Sequence, residues 1–178
     1  MKISLGSLFG GRDTDSDNKR QAAGLEKAPG TEIHYDANLI KRFTGHHAVL
    51  VDLITKVRSS AEAGNYQDTT KYVRKFKLML NEHLLEENLR LYTYLSYCLK
   101  QDPEGSELML DMRKEMGDIG RTVSRFIRHY EEHGVEARNA DKFIEELDGI
   151  TKALADRIER EERSLYTLYM PPSQIGSD

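Results

Sequence analysis

The sequence predicts an all-α protein, an antiparallel up-down four-helix bundle preceded by a disordered N-terminal tail. Three observations predict it. Apolar residues recur at alternating spacings of three and four through four successive stretches. The breaks between these stretches are only a few residues long and carry Gly or Pro. No stretch alternates with the period of two that a half-buried strand needs. Helices joined by such short loops must reverse direction at each one, so neighbours pack antiparallel.

Residues 1–31 read as the tail. From Gly10 to Thr31 the chain is rich in Gly, Asp, Ser, Lys and Arg and nearly lacks large apolar side chains, so it cannot repay the entropy of ordering. Ahead of it, Ile3, Leu5, Leu8 and Phe9 form a short apolar run, read either as a docking peptide or as a frayed chain start. Gly10-Gly11-Arg12-Asp13 ends that run before it reaches the length of a signal h-region. The bundle is expected over residues 32–172, with a short tail at 173–178.

The first helix starts near Asp36. Its seam is Leu39, Phe43, His46 or His47, Leu50, Leu53 or Ile54, and Val57, with Gly64 as the stop. The second, from about Tyr66 to Lys100, carries Val73, Phe76, Leu80, His83, Glu87, Leu91, Tyr94 and Cys98 and is closed by Pro103. The third presents Leu108, Met112, Met116, Ile119, Val123, Phe126 and Tyr130 before Gly134. The fourth presents Phe143, Leu147, Ile150, Leu154, Arg157 or Ile158, Glu161, Leu165 and Leu168, and Pro171-Pro172 ends it.

Composition narrows the function classes. With 178 residues, 38% of them hydrophobic and 31% charged, the chain is the size of one domain and apolar enough for a single core. A net charge of -4 provides no global attraction for nucleic acid or an anionic membrane, so no nucleic-acid partner is expected. No window approaches eighteen uninterrupted apolar residues, which argues against a membrane span. The lone Cys98 cannot form an intramolecular disulfide, and the cytoplasm is the expected compartment.

Several clusters read as ordinary surface or core. Lys71, Arg74, Lys75 and Lys77, and the shared face of Arg121, Arg125 and Arg128, are basic patches that read as solvated faces balanced by nearby carboxylates. A protein partner, of unknown identity, is expected to reach the chain through such a face or through the tail. His129 and His133 have a metal-capable spacing but sit at a helix end beside Gly134, as a solvated C-terminus would. Tyr92, Tyr94, Tyr97, Tyr166 and Tyr169 read as core and rim packing. No nucleophile-base arrangement, phosphate loop or Cys-rich zinc motif occurs, and no enzymatic activity is expected.

The chain repeats itself. At an offset of 74, Leu80, His83, Glu87, Leu91, Tyr92 and Thr93 align with Leu154, Arg157, Glu161, Leu165, Tyr166 and Thr167. A weaker match pairs His47, Leu50, Ile54 and Val57 with Met116, Ile119, Val123 and Phe126, so the bundle reads as a duplicated helix pair. Polar residues stand on these inward seams. His83 and Glu87 are one turn apart and project together, Glu161 repeats the placement, and His47 comes in from the first helix. Burying so many ionisable groups is costly unless they bind a cation or one another.

These residues carry a resemblance. His47-x-x-Leu50, then Leu80-x-x-His83-x-x-x-Glu87-x-x-x-Leu91-Tyr92, then Glu161-Glu162-x-x-Leu165-Tyr166, resemble the hemerythrin-like HHE cation-binding family over about residues 34 to 170. Ile33-His34-Tyr35-Asp36 followed by Leu39-Ile40 is similar to how many bacterial members enter their first helix. The resemblance implies an up-down bundle around an oxo-bridged, non-haem di-iron pair. Its ligands would be one histidine on each of helices one and three and a His-x-x-x-Glu pair on each of helices two and four. Carried over, the metal ligands are His47, His83, Glu87 and Glu161. Met116 stands where the third-helix histidine belongs and Arg157 where the fourth-helix histidine belongs. A thioether is a poor ligand for hard iron, and a guanidinium cannot coordinate metal. The expected reading is therefore a degenerate member with no cofactor or a partial iron site, in which a buried Arg-Glu-His network replaces the metals electrically. Its expected role is regulatory or protein-interacting and non-catalytic. The alternative is an iron-binding sensor or carrier of oxygen, nitric oxide or iron status.

Overall fold

The computed structural model describes residues 26–175. Helix α1 spans Leu39–Glu62. Helix α2 spans Tyr66–Glu86 and runs on through a wide, π-helical turn at Glu87–Tyr92 into an α-helical stretch at Thr93–Cys98 and a 3-10 turn at Leu99–Gln101. Helix α3 spans Pro103–His133. Helix α4 spans Ala140–Arg160 and continues through a second wide turn at Glu161–Leu165 and a 3-10 turn at Tyr166–Leu168. Among the described residues the only β-type pairing is an isolated bridge between Lys27 and His34. No helix among them is long and apolar enough to cross a membrane.

The boundaries have local causes. Gly64 and Gly134 adopt φ of +72°, a conformation open to glycine at little cost, and each ends a helix where the sequence placed a stop. Asp102 caps α3 by accepting a 2.9 Å hydrogen bond from the Gly105 N–H, with Pro103 fixing the first turn. Side-chain pairs between helices establish the antiparallel order. Thr69 meets Ser60 at 3.0 Å while Arg42 meets Glu86 at 2.9 Å, so α1 and α2 run oppositely. Arg58–Asp148 and His47–Glu162 do the same for α1 and α4.

Two apolar cores lie along the bundle with a polar layer between them. One gathers Val57, Phe76, Val123, Phe126, Phe143 and Ile150. The other gathers Phe43, Leu91, Tyr94, Met112, Leu165 and Tyr169. The buried polar residues His47, His83, Glu87, Arg157 and Glu161 belong to neither cluster. The α3 seam differs slightly from expectation: Met109 and Met112 are buried, while Leu108 and Ile119 are only partly so.

Residues 26–31 lie within the span read as tail, yet they pack on the bundle. Ala28 is fully buried, its N–H donates to the Ile33 carbonyl at 2.8 Å, and the Glu26 carboxylate accepts from Ser173 at 2.8 Å. Composition hid this because backbone pairing and one small side chain anchor the segment. Residues 1–25, including the Ile3–Phe9 run, and residues 176–178 lie outside the described residues.

Candidate metal centre and its buried arginine

Helical phase delivers each residue of the layer. His47 faces inward from α1 on the seam of Phe43 and Leu50, and it is buried, whereas His46 is only partly so. That settles which of the two histidines belongs to the layer. His83, at the end of α2, is buried with it, the two rings meeting edge to face at 4.9 Å between centroids. Glu87 and Glu161 each open a wide turn, a feature that recurs at functional sites because it re-aims side chains without breaking the helix. Arg157 lies one α-helical turn before Glu161 and is buried, and Ile158, the alternative for this seam position, is only partly so.

Glu161 is the hub of the layer. Its Oε2 lies 3.0 Å from His47 Nε2, and its Oε1 accepts from Arg157 Nε at 2.5 Å. The far side of the guanidinium donates from Nη2 to the Tyr92 hydroxyl at 2.7 Å. Nη1 lies 3.5 Å from Glu115, which is also paired with Arg160. Tyr166 stacks on the His47 ring, and its hydroxyl is 3.2 Å from His47 Nε2 and 3.4 Å from Glu161 Oε2. On the outer side of the ring, His47 Nδ1 meets the half-exposed Glu162 at 2.8 Å. A surface carboxylate, an imidazole and a buried carboxylate thus form one chain.

The charge states follow from these contacts. Burial pushes the Glu161 carboxyl up, but the His47 hydrogen bond and the Arg157 charge outweigh it and hold the group below its ordinary value. Burial likewise opposes charge on His47, and its bonds to Glu161 and Glu162 prevail, so its pKa is raised. His83 has no such partner. Burial, then the neighbouring His47 charge, pushes it down to about 4, and it is neutral. Glu87 is pushed well above the carboxylate range by burial and by Glu161. Both of its oxygens, and His83 Nδ1, have no hydrogen-bond partner.

Donor atoms of His47, His83 and Glu161 all lie within 4.8 Å of one another, the arrangement a single cation needs. Three of the four residues read from the sequence as ligands are in this group; the fourth, Glu87, is buried within electrostatic reach of Glu161 but is not among the donors that converge. Across residues 38–169 the chain matches the family model described as the hemerythrin HHE cation binding domain. The chain belongs to that family. Neither the comparison with curated proteins nor that with solved structures gives a match.

Within this hemerythrin-like chain the residues do not fit a full di-iron pair. Arg157 places a permanent positive charge against one oxygen of Glu161, where a dinuclear site would put metal. Met116 borders the small cavity at the layer, of about 20 Å³, and offers only a thioether. A single cation fits. It would rest on His47, His83 and Glu161 and displace the proton that His47 shares with Glu161.

Sequence reasoning missed Tyr92, Tyr166 and Glu162 as members of the network. A signal existed for the tyrosines, since each follows its carboxylate at the same interval in the repeat, Glu87 to Tyr92 and Glu161 to Tyr166. Consecutive residues of a regular helix diverge by about 100°. Glu161 and Glu162 nonetheless serve opposite nitrogens of one ring from within the wide turn.

Proposed function

We propose that this chain is a non-catalytic, regulatory or protein-interacting member of the hemerythrin-like family in which Arg157 is the built-in cation of the polar layer. One observation carries the reading: the fully buried guanidinium, 2.5 Å from Glu161 and 2.7 Å from Tyr92. A cation tethered to the helix backbone cannot dissociate, change valence or accept a ligand, so this half of the layer is electrically satisfied without metal. Dioxygen chemistry at paired irons needs two complete ligand sets. Here Glu161 is already shared with Arg157, and Met116 takes the place of a histidine. The lone, buried thiol of Cys98, with no disulfide, supports the cytoplasm as the compartment.

The second reading, a one-metal sensor or carrier of oxygen, nitric oxide or iron status, is favoured by the convergence of His47, His83 and Glu161. When bound, the cation would supply an open coordination position. The protein's residues would orient it, with Tyr166 and Glu162 fixing the His47 ring.

Metal content per chain tests both. Protein from iron-rich medium is expected to carry one metal or none, and Arg157→His with Met116→His is expected to raise the capacity to two. Two irons per wild-type chain would overturn the built-in-cation reading. A colourless, chelator-indifferent wild type that takes up neither iron nor zinc removes the sensor reading and leaves the first intact.

A further inference from the structure

Two open grooves flank the middle of α3. One, of about 610 Å³, runs between α3 and α4; Val123, Phe126, Ile150 and Ala153 line it, with Arg125 at its wall beside Lys142 and Glu146, which pair at 3.7 Å. The other, of about 620 Å³, runs between α2 and α3 beside Leu84 and is lined by Arg121, Arg125 and Arg128. Arg125 therefore stands on a ridge shared by both. Among the described residues one of the three arginines of this face has the carboxylate partner expected of it. Arg121 pairs with Asp118, one turn away on α3. The hydrogen bond of Arg125 is to Thr122 at 3.4 Å, and neither Arg125 nor Arg128 has a carboxylate partner among the described residues.

We propose that this ridge is the docking surface for residues 3–17 of the same chain. Asp13, Asp15 and Asp17 would lie along Arg128, Arg125 and Arg121, and Leu8 and Phe9 would rest on the apolar groove. Three features of the chain support that occupant over others.

The first is position. The described chain begins at Glu26, fastened to Ser173, and Pro29 lines the same small cavity as Asp102, the cap of α3. The described chain therefore begins beside the start of α3. The second is reach. At helical rise, Arg121, Arg125 and Arg128 lie about 27, 33 and 38 Å along α3 from Pro103. An extended chain at about 3.3 Å per residue carries Asp17, Asp15 and Asp13 to about 30, 36 and 43 Å from Glu26. The order matches as well as the distance. The third is chemistry. Alternate residues of an extended segment share a face at about 6.6 Å intervals, close to the rise between successive arginines. Gly10-Gly11 then allows the sharp turn that brings Phe9 and Leu8 back onto Val123 and Phe126. The residues lining the two grooves are none of those lining the cavity at the polar layer, so the proposal is independent of the reading of the metal centre.

The test uses the full chain. Trypsin cleavage after Arg12 is followed in wild type, in Arg125→Glu with Arg128→Glu, and in Asp15→Asn with Asp17→Asn, which keeps Asp13 beside the cleaved bond. Tethering gives an effective concentration in the millimolar range, so even weak docking is expected to slow cleavage at Arg12 at least about fivefold relative to both variants. The second variant leaves the bundle itself unaltered. Carbodiimide coupling of a mixture of ¹⁴N- and ¹⁵N-labelled chains is expected to join the aspartates to Lys142 within one chain. Equal cleavage rates in all three proteins overturn the proposal. So do cross-links found only between differently labelled chains, which would assign the groove to a second copy.

Discussion

Arg157 shows how much one residue in the polar layer can decide. Its Nε and Nη2 donate to Glu161 and Tyr92 while its buried Nη1 has no hydrogen-bond partner, so truncating it strands a buried carboxylate. Breaking a buried pair on one side costs about 3–5 kcal/mol, and Arg157→Ala is expected to lower stability by that amount in urea titrations of metal-free protein. His83 sets a pH dependence. In the unfolded chain it titrates near 6.5 and in the fold near 4, so as pH falls the unfolded chain takes the proton first. The contribution of His83 is intact above about pH 6.5 and is lost progressively toward pH 4, by about 3 kcal/mol at most. Urea midpoints of wild type against His83→Gln across that window should diverge by this amount; parallel curves would contradict it. His47 has the opposite sign, since its raised pKa gives stability that is present below 6.5 and lost as pH rises through the folded value. At this scale the sequence was partly legible. His83, Glu87, Arg157 and Glu161 follow from periodicity and repeat, but the choice of His47 over His46 needed the real phase of α1, and Glu162 needed the wide turn.

At the scale of elements, the duplicated helices α2 and α4 each widen by one turn, beginning at the carboxylate. A wide turn absorbs an extra residue while the seams on either side stay in phase, which is why a count of apolar spacings passes through it unnoticed. Helix ends were more legible, because Gly and Pro act through backbone geometry alone. Asp102 illustrates the capping term. Asp102→Ala removes the acceptor for the Gly105 N–H and is expected to destabilise the bundle by about 1 kcal/mol without changing its helix content, as read by the denaturation midpoint and circular dichroism.

Across the whole molecule, α1 and α2 bury a continuous seam, whereas α3 stands between two grooves with exposed arginines on its outer face. Amides from Gly117 to Arg128 are therefore expected to exchange with deuterium faster than those of α1 between Phe43 and Val57. Uniform protection across both helices would contradict that. Helix number, order and direction were legible because loop length and periodicity are properties of the chain itself. The grooves were not, since they depend on how far apart helices settle, a property of packing. The chain's tyrosines give the molecule a last property, an optical one. There is no tryptophan, so intrinsic emission comes from tyrosine alone. Tyr166 lies parallel to His47 at 5.8 Å and Tyr92 is bonded to Arg157, so two of these fluorophores are built into the polar layer and report on its state from within.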